Sequence, residues 1–459
     1  MSASFTVAAR LGTVPIYAIS GLLGAFLLKP FPGIPQIAFS ILLFALYVGC
    51  FRTLFRGKSL VDVGTFFLFV VLIYQIFPLL SLEITDYNLG VFADNRLNTI
   101  ALSTSFLSDV WSIQTLILTG FGASYLAFKS ERPKQAPVIS PAQRSLFGTV
   151  LAVSFLIVVG ANIYLAGDDY LDQYLSVQSL PLFVVQGLNI VNQMFFAAMF
   201  GFLVLSMRGN VRRALAVTFG ACVILLLTTG ARTPVAIVIF AAVVVYDHYR
   251  ARLNPALLLS IAVTLLLIFL LAGALRGSGY TDDLLGQNEF MAIYVTTLDV
   301  FQIAITGAAR DLGNELWIAD LLRPIPGQLL PFEKFDAALW YITSFYPLQA
   351  QAGEGYGFSM ASEAMLGGGN FSALARSGLL GMAVALINGK LEASRSIYAK
   401  VGAVWLFCFI YLSYRDTTFT LVPRLMFQFG PGLLVIFLID RMFILKPDAD
   451  ASPGLWGER

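Results

Sequence analysis

The chain has 459 residues, of which 58% are hydrophobic and only 12% are Asp, Glu, Lys or Arg. Soluble domains carry roughly 25% charged residues, so a water-facing surface cannot be built here. Mean hydropathy is +0.79, and the net charge of +2 carries information only in how it is distributed. The apolar residues fall in blocks of about 20, the length that crosses a hydrocarbon core.

Taken in chain order, the blocks predict an all-α polytopic membrane protein of about 12 spans: 12–31, 34–54, 61–82, 109–129, 145–166, 182–207, 213–231, 233–249, 255–275, 372–389, 398–414 and 424–445. The run after Met1–Arg10 lacks a small-residue cleavage site and reads as a retained first helix, not a removed signal peptide. The chain thus divides into a transmembrane bundle over 1–275 with spans 1–9, a large loop over 276–371, and spans 10–12 with a short tail over 372–459.

Orientation comes from the basic residues of the short connections. With the N-terminus cytoplasmic, the inside segments carry Arg52, Arg56 and Lys58, then Lys129, Arg132, Lys134 and Arg144, then Arg208, Arg212 and Arg213, then Arg250 and Arg252, then Lys390, Arg395 and Lys400, and finally Arg441 and Lys446. Both termini are thereby expected in the cytoplasm, and the large loop on the opposite face of a bacterial inner membrane.

That loop is too long and too aromatic for an idle or disordered connection. Over 289–305 its apolar residues recur at near-helical spacing, with Thr296, Asp299 and Gln302 on a more polar strip. The pattern predicts a helix lying at the membrane interface. Pro324, Pro326, Pro331 and Pro347 break the rest of the loop into short pieces.

The outside face is rich in arginine: Arg96, Arg232, Arg276, Arg310, Arg323, Arg376, Arg415 and Arg424, against Lys29 and Lys334. Arginine is preferred where a planar fork must grip phosphate or carboxylate. Arg232 forms a turn with Thr229, Gly230 and Ala231 ahead of Pro234, where free backbone N–H groups would add to a phosphate clamp. The plainer reading is an arginine snorkelling to headgroups. Arg276, Arg415 and Arg424 also stand at span ends, and together they favour a shared anionic ligand; Arg323 could instead sit on a wet loop surface. The candidate bases are Glu363, in an apolar stretch, Asp416, beside Arg415, and Asp299. Each could equally form a salt bridge to a neighbouring arginine. His248, the only histidine, falls on the cytoplasmic side. No phosphate-binding glycine loop, no His-Glu-x-x-His and no Gly-x-Ser-x-Gly occurs, so no metal, no cofactor and no nucleic-acid partner is expected.

Four segments in this order resemble the oligosaccharide repeat-unit polymerases of O-antigen and related surface polysaccharides. They are Thr229-Gly230-Ala231-Arg232; Ala274-Leu275-Arg276-Gly277; Gly355-Tyr356-Gly357-Phe358-Ser359 with Ser362-Glu363-Ala364 and Gly378-Leu379-Leu380-Gly381; and Tyr414-Arg415-Asp416 with Pro423-Arg424. The likeness covers about 212–440. The family usually follows its Glu-Ala pair with an aromatic-Leu-Asn-Phe-Gly run, where this chain has Met365-Leu366-Gly367-Gly368-Gly369.

The resemblance implies a glycosyltransferase-C-like fold and a metal-independent enzyme facing the periplasm. It would move a growing glycan from one undecaprenyl-diphosphate carrier to a second lipid-linked repeat unit. Arg232, Arg276, Arg415, Arg424 and Arg323 would hold the diphosphate, and Glu363, Asp416 or Asp299 would take the acceptor's proton. Donor and acceptor glycolipids, membrane lipids, a chain-length regulator and a flippase are the implied partners. The alternatives are an O-antigen ligase, which would carry a histidine in its large loop, and a lipid-linked oligosaccharide flippase or other transporter.

Overall fold

The computed structural model describes residues 3–84, 104–166, 182–264 and 289–444, apart from 57, 131–134, 139, 208, 230–231, 255, 259, 262, 308–311 and 353–356. Among the described residues all regular structure is helical. Seven helices among the described residues are long and apolar enough to cross a membrane. The chain is a helical membrane protein, because a lipid-facing backbone must satisfy its own N–H and C=O groups.

The first four helices are α1 (Ala3–Leu27), α2 (Ile34–Leu54), α3 (Val63–Ile84) and α4 (Thr104–Phe128). The next four are α5 (Pro141–Ala166), α6 (Leu182–Ser206), α7 (Val211–Thr229) and α8 (Arg232–Tyr249). The helices α9 (Glu289–Ile305), α10 (Gly313–Leu322), α11 (Ala337–Phe345), α12 (Pro347–Ala352) and α13 (Met360–Leu366) come next. The chain ends in α14 (Gly369–Ala393), α15 (Ile397–Phe409), α16 (Leu412–Arg415), α17 (Leu421–Arg424), a π-helical turn over Leu425–Phe429, and α18 (Gly430–Ile444). Each expected span overlaps one of these helical elements except 255–275, most of which lies outside the described residues, and 398–414 and 424–445 are each divided over more than one helical element. Span-length apolar windows fall in α1, α2, α3, α5, α6, α14 and the α17–α18 run. Apolar stretches in α8, α9 and α15 are shorter.

The helices form two compact units that interleave along the chain: residues 1–134, 246–393 and 406–423 in one, and 135–245, 394–405 and 424–459 in the other. In the first unit α14 lies along α4 with the backbones nearly touching. A Cβ on Gly381 would stand 2.5 Å from the Phe121 carbonyl oxygen, and one on Gly120 would stand 2.8 Å from that of Leu374. Small residues serve this purpose in membranes, where helices associate by close packing and polar contacts. The polar contacts are present. Gln36 donates to Ser108 at 3.1 Å, Trp111 to Ser40 at 3.0 Å, and Gln75 to Thr115 at 2.9 Å. Where α4 ends, Lys129 is buried against Asp62 at 2.6 Å, and the Tyr125 hydroxyl donates to the same carboxylate.

The helix expected at the membrane interface forms as α9, but Thr296 and Asp299 of its polar strip face inward, and Gln302 is half buried. Thr296 and Asp299 are 2% and 1% exposed. Asp299 accepts from the hydroxyls of Tyr341 and Tyr346 at 2.6 and 3.0 Å. Periodicity identifies a polar face; it does not say whether water or other side chains cover it.

In the second unit α6 packs against α5, α7 and α18. Gly201 meets the Phe147 ring, Gly432 meets Met194, and the Trp405 indole donates to Gln193 at 3.1 Å. Asp440 of α18 accepts from Gln143 at 3.0 Å and from the Tyr398 hydroxyl.

Candidate functional site

The site is built where α13 turns into α14. All seven residues of α13 are buried. Its start is fixed by Ser359, whose hydroxyl accepts from the Ser362 N–H at 3.0 Å and lies 2.9 Å from that of Thr297. The link to α14 passes through Gly368 and Gly369 at φ values of 115° and 61°, a region that only glycine enters readily. This reversal sets Glu363 of α13 against Arg376 of α14.

Glu363 and Arg376 are each 0% exposed, and Arg376 Nη1 lies 3.2 Å from Glu363 Oε1. Arg376 Nε donates to Ser372, one turn earlier, at 3.0 Å. The same Nη1 pairs with Asp320 of α10. Trp317 stands one turn before Asp320, and its ring lies 4.4 Å beneath the Arg376 guanidinium carbon. Arg323 closes the group: its Nε donates to Asp320 at 2.9 Å and its Nη2 reaches Glu363 Oε1 at 3.5 Å. On the far side, Glu363 Oε2 accepts both the backbone N–H and the hydroxyl of Thr418, at 2.8 and 2.6 Å.

Two guanidinium groups thus face two carboxylates, and the cluster is neutral as a whole. That balance is needed, because an uncompensated charge held away from water costs several kcal/mol, roughly 3–5 when a buried pair is broken. Burial and the neighbouring Glu363 carboxylate push the Asp320 carboxyl above its usual range, and Arg376 and Arg323 oppose the shift. Arg323 is 22% exposed and marks the open edge of the group. Arg376 Nη2 is buried and has no hydrogen-bond partner among the described residues.

The geometry separates the three candidate acids. An ionised carboxyl offers about four lone-pair positions. Those of Glu363 are directed at Arg376, Arg323, the Thr418 N–H and the Thr418 hydroxyl. Asp299 is enclosed with two tyrosines, and burial followed by the Asp299 carboxylate raises the Tyr341 phenol well above its usual range. Asp416 is only half buried. It lies between two anchored residues, Tyr414, whose hydroxyl accepts from Gln114 at 2.8 Å, and Thr418.

The expected arginines divide. Arg323 stands in the cluster, and Arg415 is half buried beside Asp416 in the same unit. Arg424 and the backbone of Arg232 belong to the second unit, where Arg232 opens α8. The Arg232 side chain and all of Arg276 and Arg310 lie outside the described residues. Asp320, Thr418 and Trp317 carry no sequence signal of their own. The signal lies in Arg376, a charge inside an apolar helix that calls for a buried partner. Among the described residues no group of three or more His, Cys, Asp or Glu suits a metal ion.

No known protein family matches the chain, and no curated protein or solved structure is detectably similar to it.

Proposed function

We propose that the chain is a metal-independent membrane glycosyltransferase of the polysaccharide-polymerase type. It extends lipid-linked oligosaccharide repeat units at the periplasmic face of a bacterial inner membrane, with about 12 spans and both termini cytoplasmic. The observation that carries this reading is the Arg376 guanidinium, buried with Nη2 unbonded among the described residues, beside the partly exposed Arg323. An oxyanion arriving at the open edge would meet Arg323, with Arg376 buried behind it and both guanidinium groups already oriented by carboxylates.

The chemistry suits a diphosphate leaving group. As the glycosidic bond to a lipid diphosphate breaks, negative charge grows on the departing oxygen. Fixed guanidinium groups stabilise that charge more in the transition state than in the ground state. Glu363 and Asp320 hold the guanidinium groups in place. Asp416, half buried and next to the cluster in sequence, takes the proton of the acceptor hydroxyl. Arg415, in the same unit as the cluster, extends the anion-binding surface in this reading. The partners are the undecaprenyl-diphosphate-linked donor and acceptor, with a chain-length regulator and a flippase acting alongside.

The test is extension of a synthetic undecaprenyl-diphosphate-linked repeat unit by the purified protein in nanodiscs, with and without chelator. A ladder of longer products that persists in chelator is expected. Unextended substrate, under conditions where the protein moves the same lipid across a vesicle bilayer, would instead establish a flippase.

A further inference from the structure

From Ile318 to Phe332 the chain presents an outward apolar ridge. Leu321 and Leu329 are 78% and 73% exposed, Ile318 and Phe332 are each 54% exposed, and Ile325 is 37% exposed. On α10 this ridge opposes the face made by Leu316, Ala319 and Asp320, all buried or engaged in the charge cluster. The only charged residues between Ile318 and Phe332 are Asp320 and Arg323, and both bond within the cluster. The ridge ends at Glu333 and Asp336, which are exposed.

The depth of the ridge is set by the residues it is tied to. Asp320 pairs with Arg376, seven residues into the 25-residue helix α14. A helix of that length runs about 37 Å, and Arg376 stands about 10 Å from its start. A hydrocarbon core is about 30 Å thick, so a centred α14 would leave only about 4 Å outside it at each end. A centred α14 would thus put Arg376 and the α10 segment fixed to it at or just below the headgroup boundary. At that level the outward side chains Phe371 and Leu379 of α14, 74% and 43% exposed, already face the same medium.

We infer that the 318–332 ridge lies in the bilayer, at the boundary between headgroups and acyl chains, and that lipid is its occupant. It takes the interfacial position that the sequence suggested for 289–305. The apolar face of α10 meets acyl chains while its other face holds Asp320 within reach of Arg376 and Arg323. An anionic headgroup moving laterally in the leaflet would reach Arg323 without crossing bulk water. The placement is independent of the transfer chemistry and can fail or hold separately from it.

The test uses the full-length protein in nanodiscs of phosphatidylethanolamine and phosphatidylglycerol. Cys50, Cys222 and Cys408 are replaced by alanine, and Leu321→Cys, Leu329→Cys and Glu333→Cys are labelled one at a time with an environment-sensitive nitrobenzoxadiazole dye. At 321 and 329 we expect blue-shifted emission that is lost with shallow doxyl-labelled lipid and resists iodide; at 333 we expect the reverse. Iodide quenching at 321 and 329 equal to that at 333 would overturn the inference. So would emission insensitive to both quenchers, which would mean that a second copy or another protein covers the ridge. Two ridge positions are used so that one misfolded variant does not decide the result.

Discussion

Thr418 gives both its backbone N–H and its hydroxyl to a single oxygen of Glu363, at 2.8 and 2.6 Å. This contact joins the segment that carries Arg415 and Asp416 to the helix that orients Arg376. A hydrogen bond to a charged group contributes about 1.5–3 kcal/mol. We expect Thr418→Val to lose most of that and Thr418→Ser to keep it. Thermal unfolding in detergent should put the serine variant near the parent and the valine variant clearly below it. Equal midpoints for the two would show that the hydroxyl bond contributes nothing.

Glu363→Gln removes one negative charge from a balanced group of four. The surplus positive charge is held away from water, at a cost of about 3–5 kcal/mol. Folded protein should therefore fall sharply, and the double variant Glu363→Gln with Arg376→Gln should recover part of it. The monodisperse fraction after detergent extraction measures this. Normal accumulation of an inactive Glu363→Gln protein would instead make Glu363 the proton acceptor.

Asp416→Asn has the opposite expectation. The residue is half buried and Asn keeps its size, and the change leaves the contacts among Glu363, Asp320, Arg376 and Arg323 in place, so the variant should accumulate. It should fail to extend the synthetic repeat unit. Undiminished chain growth would move the base elsewhere, with Asp299 the next residue to change.

Gly381 tests the helix packing beneath the site. Any side chain there meets the Phe121 carbonyl oxygen, with Cβ at 2.5 Å. Gly381→Leu should cost at least about 1–3 kcal/mol through overpacking and shift α14 away from α4. Gly12→Ala is the control, since a Cβ there meets nothing within 4 Å. Unfolding midpoints of the two variants should diverge accordingly.

Asp320 introduces a pH dependence of predictable sign. Its carboxyl is raised above the ordinary 3.8 in the folded protein. Between 3.8 and the folded value, the native state keeps a proton that the unfolded chain releases. This contribution therefore falls as pH rises through that window, and it is complete only below it. Midpoints measured across acidic pH should show a smaller decline with rising pH in Asp320→Asn than in the parent.

Much of this molecule is legible one block at a time. Runs such as 34–54 and 61–82 become helices α2 and α3 because bilayer thickness and backbone hydrogen bonding leave an apolar run of that length little else to do. The arginine excess and the acid in the apolar stretch around Glu363 are visible for the same reason: both are local anomalies in composition. The direction in which a polar face points is not visible. Thr296 and Asp299 have the spacing of a solvated strip, yet both are buried, and Tyr341 and Tyr346 bond to Asp299.

The sequence by itself determined a helical membrane protein, because hydropathy acts over a window shorter than one span and needs no partner. Only the tertiary structure decided that Asp320, Glu363, Arg376 and Thr418 meet. That meeting depends on two left-handed glycines reversing the chain at 368–369 and on α4 and α14 approaching to backbone contact. Side chains on separate helices pair according to where the helices cross, and a crossing is set by long-range packing that no single stretch of sequence contains.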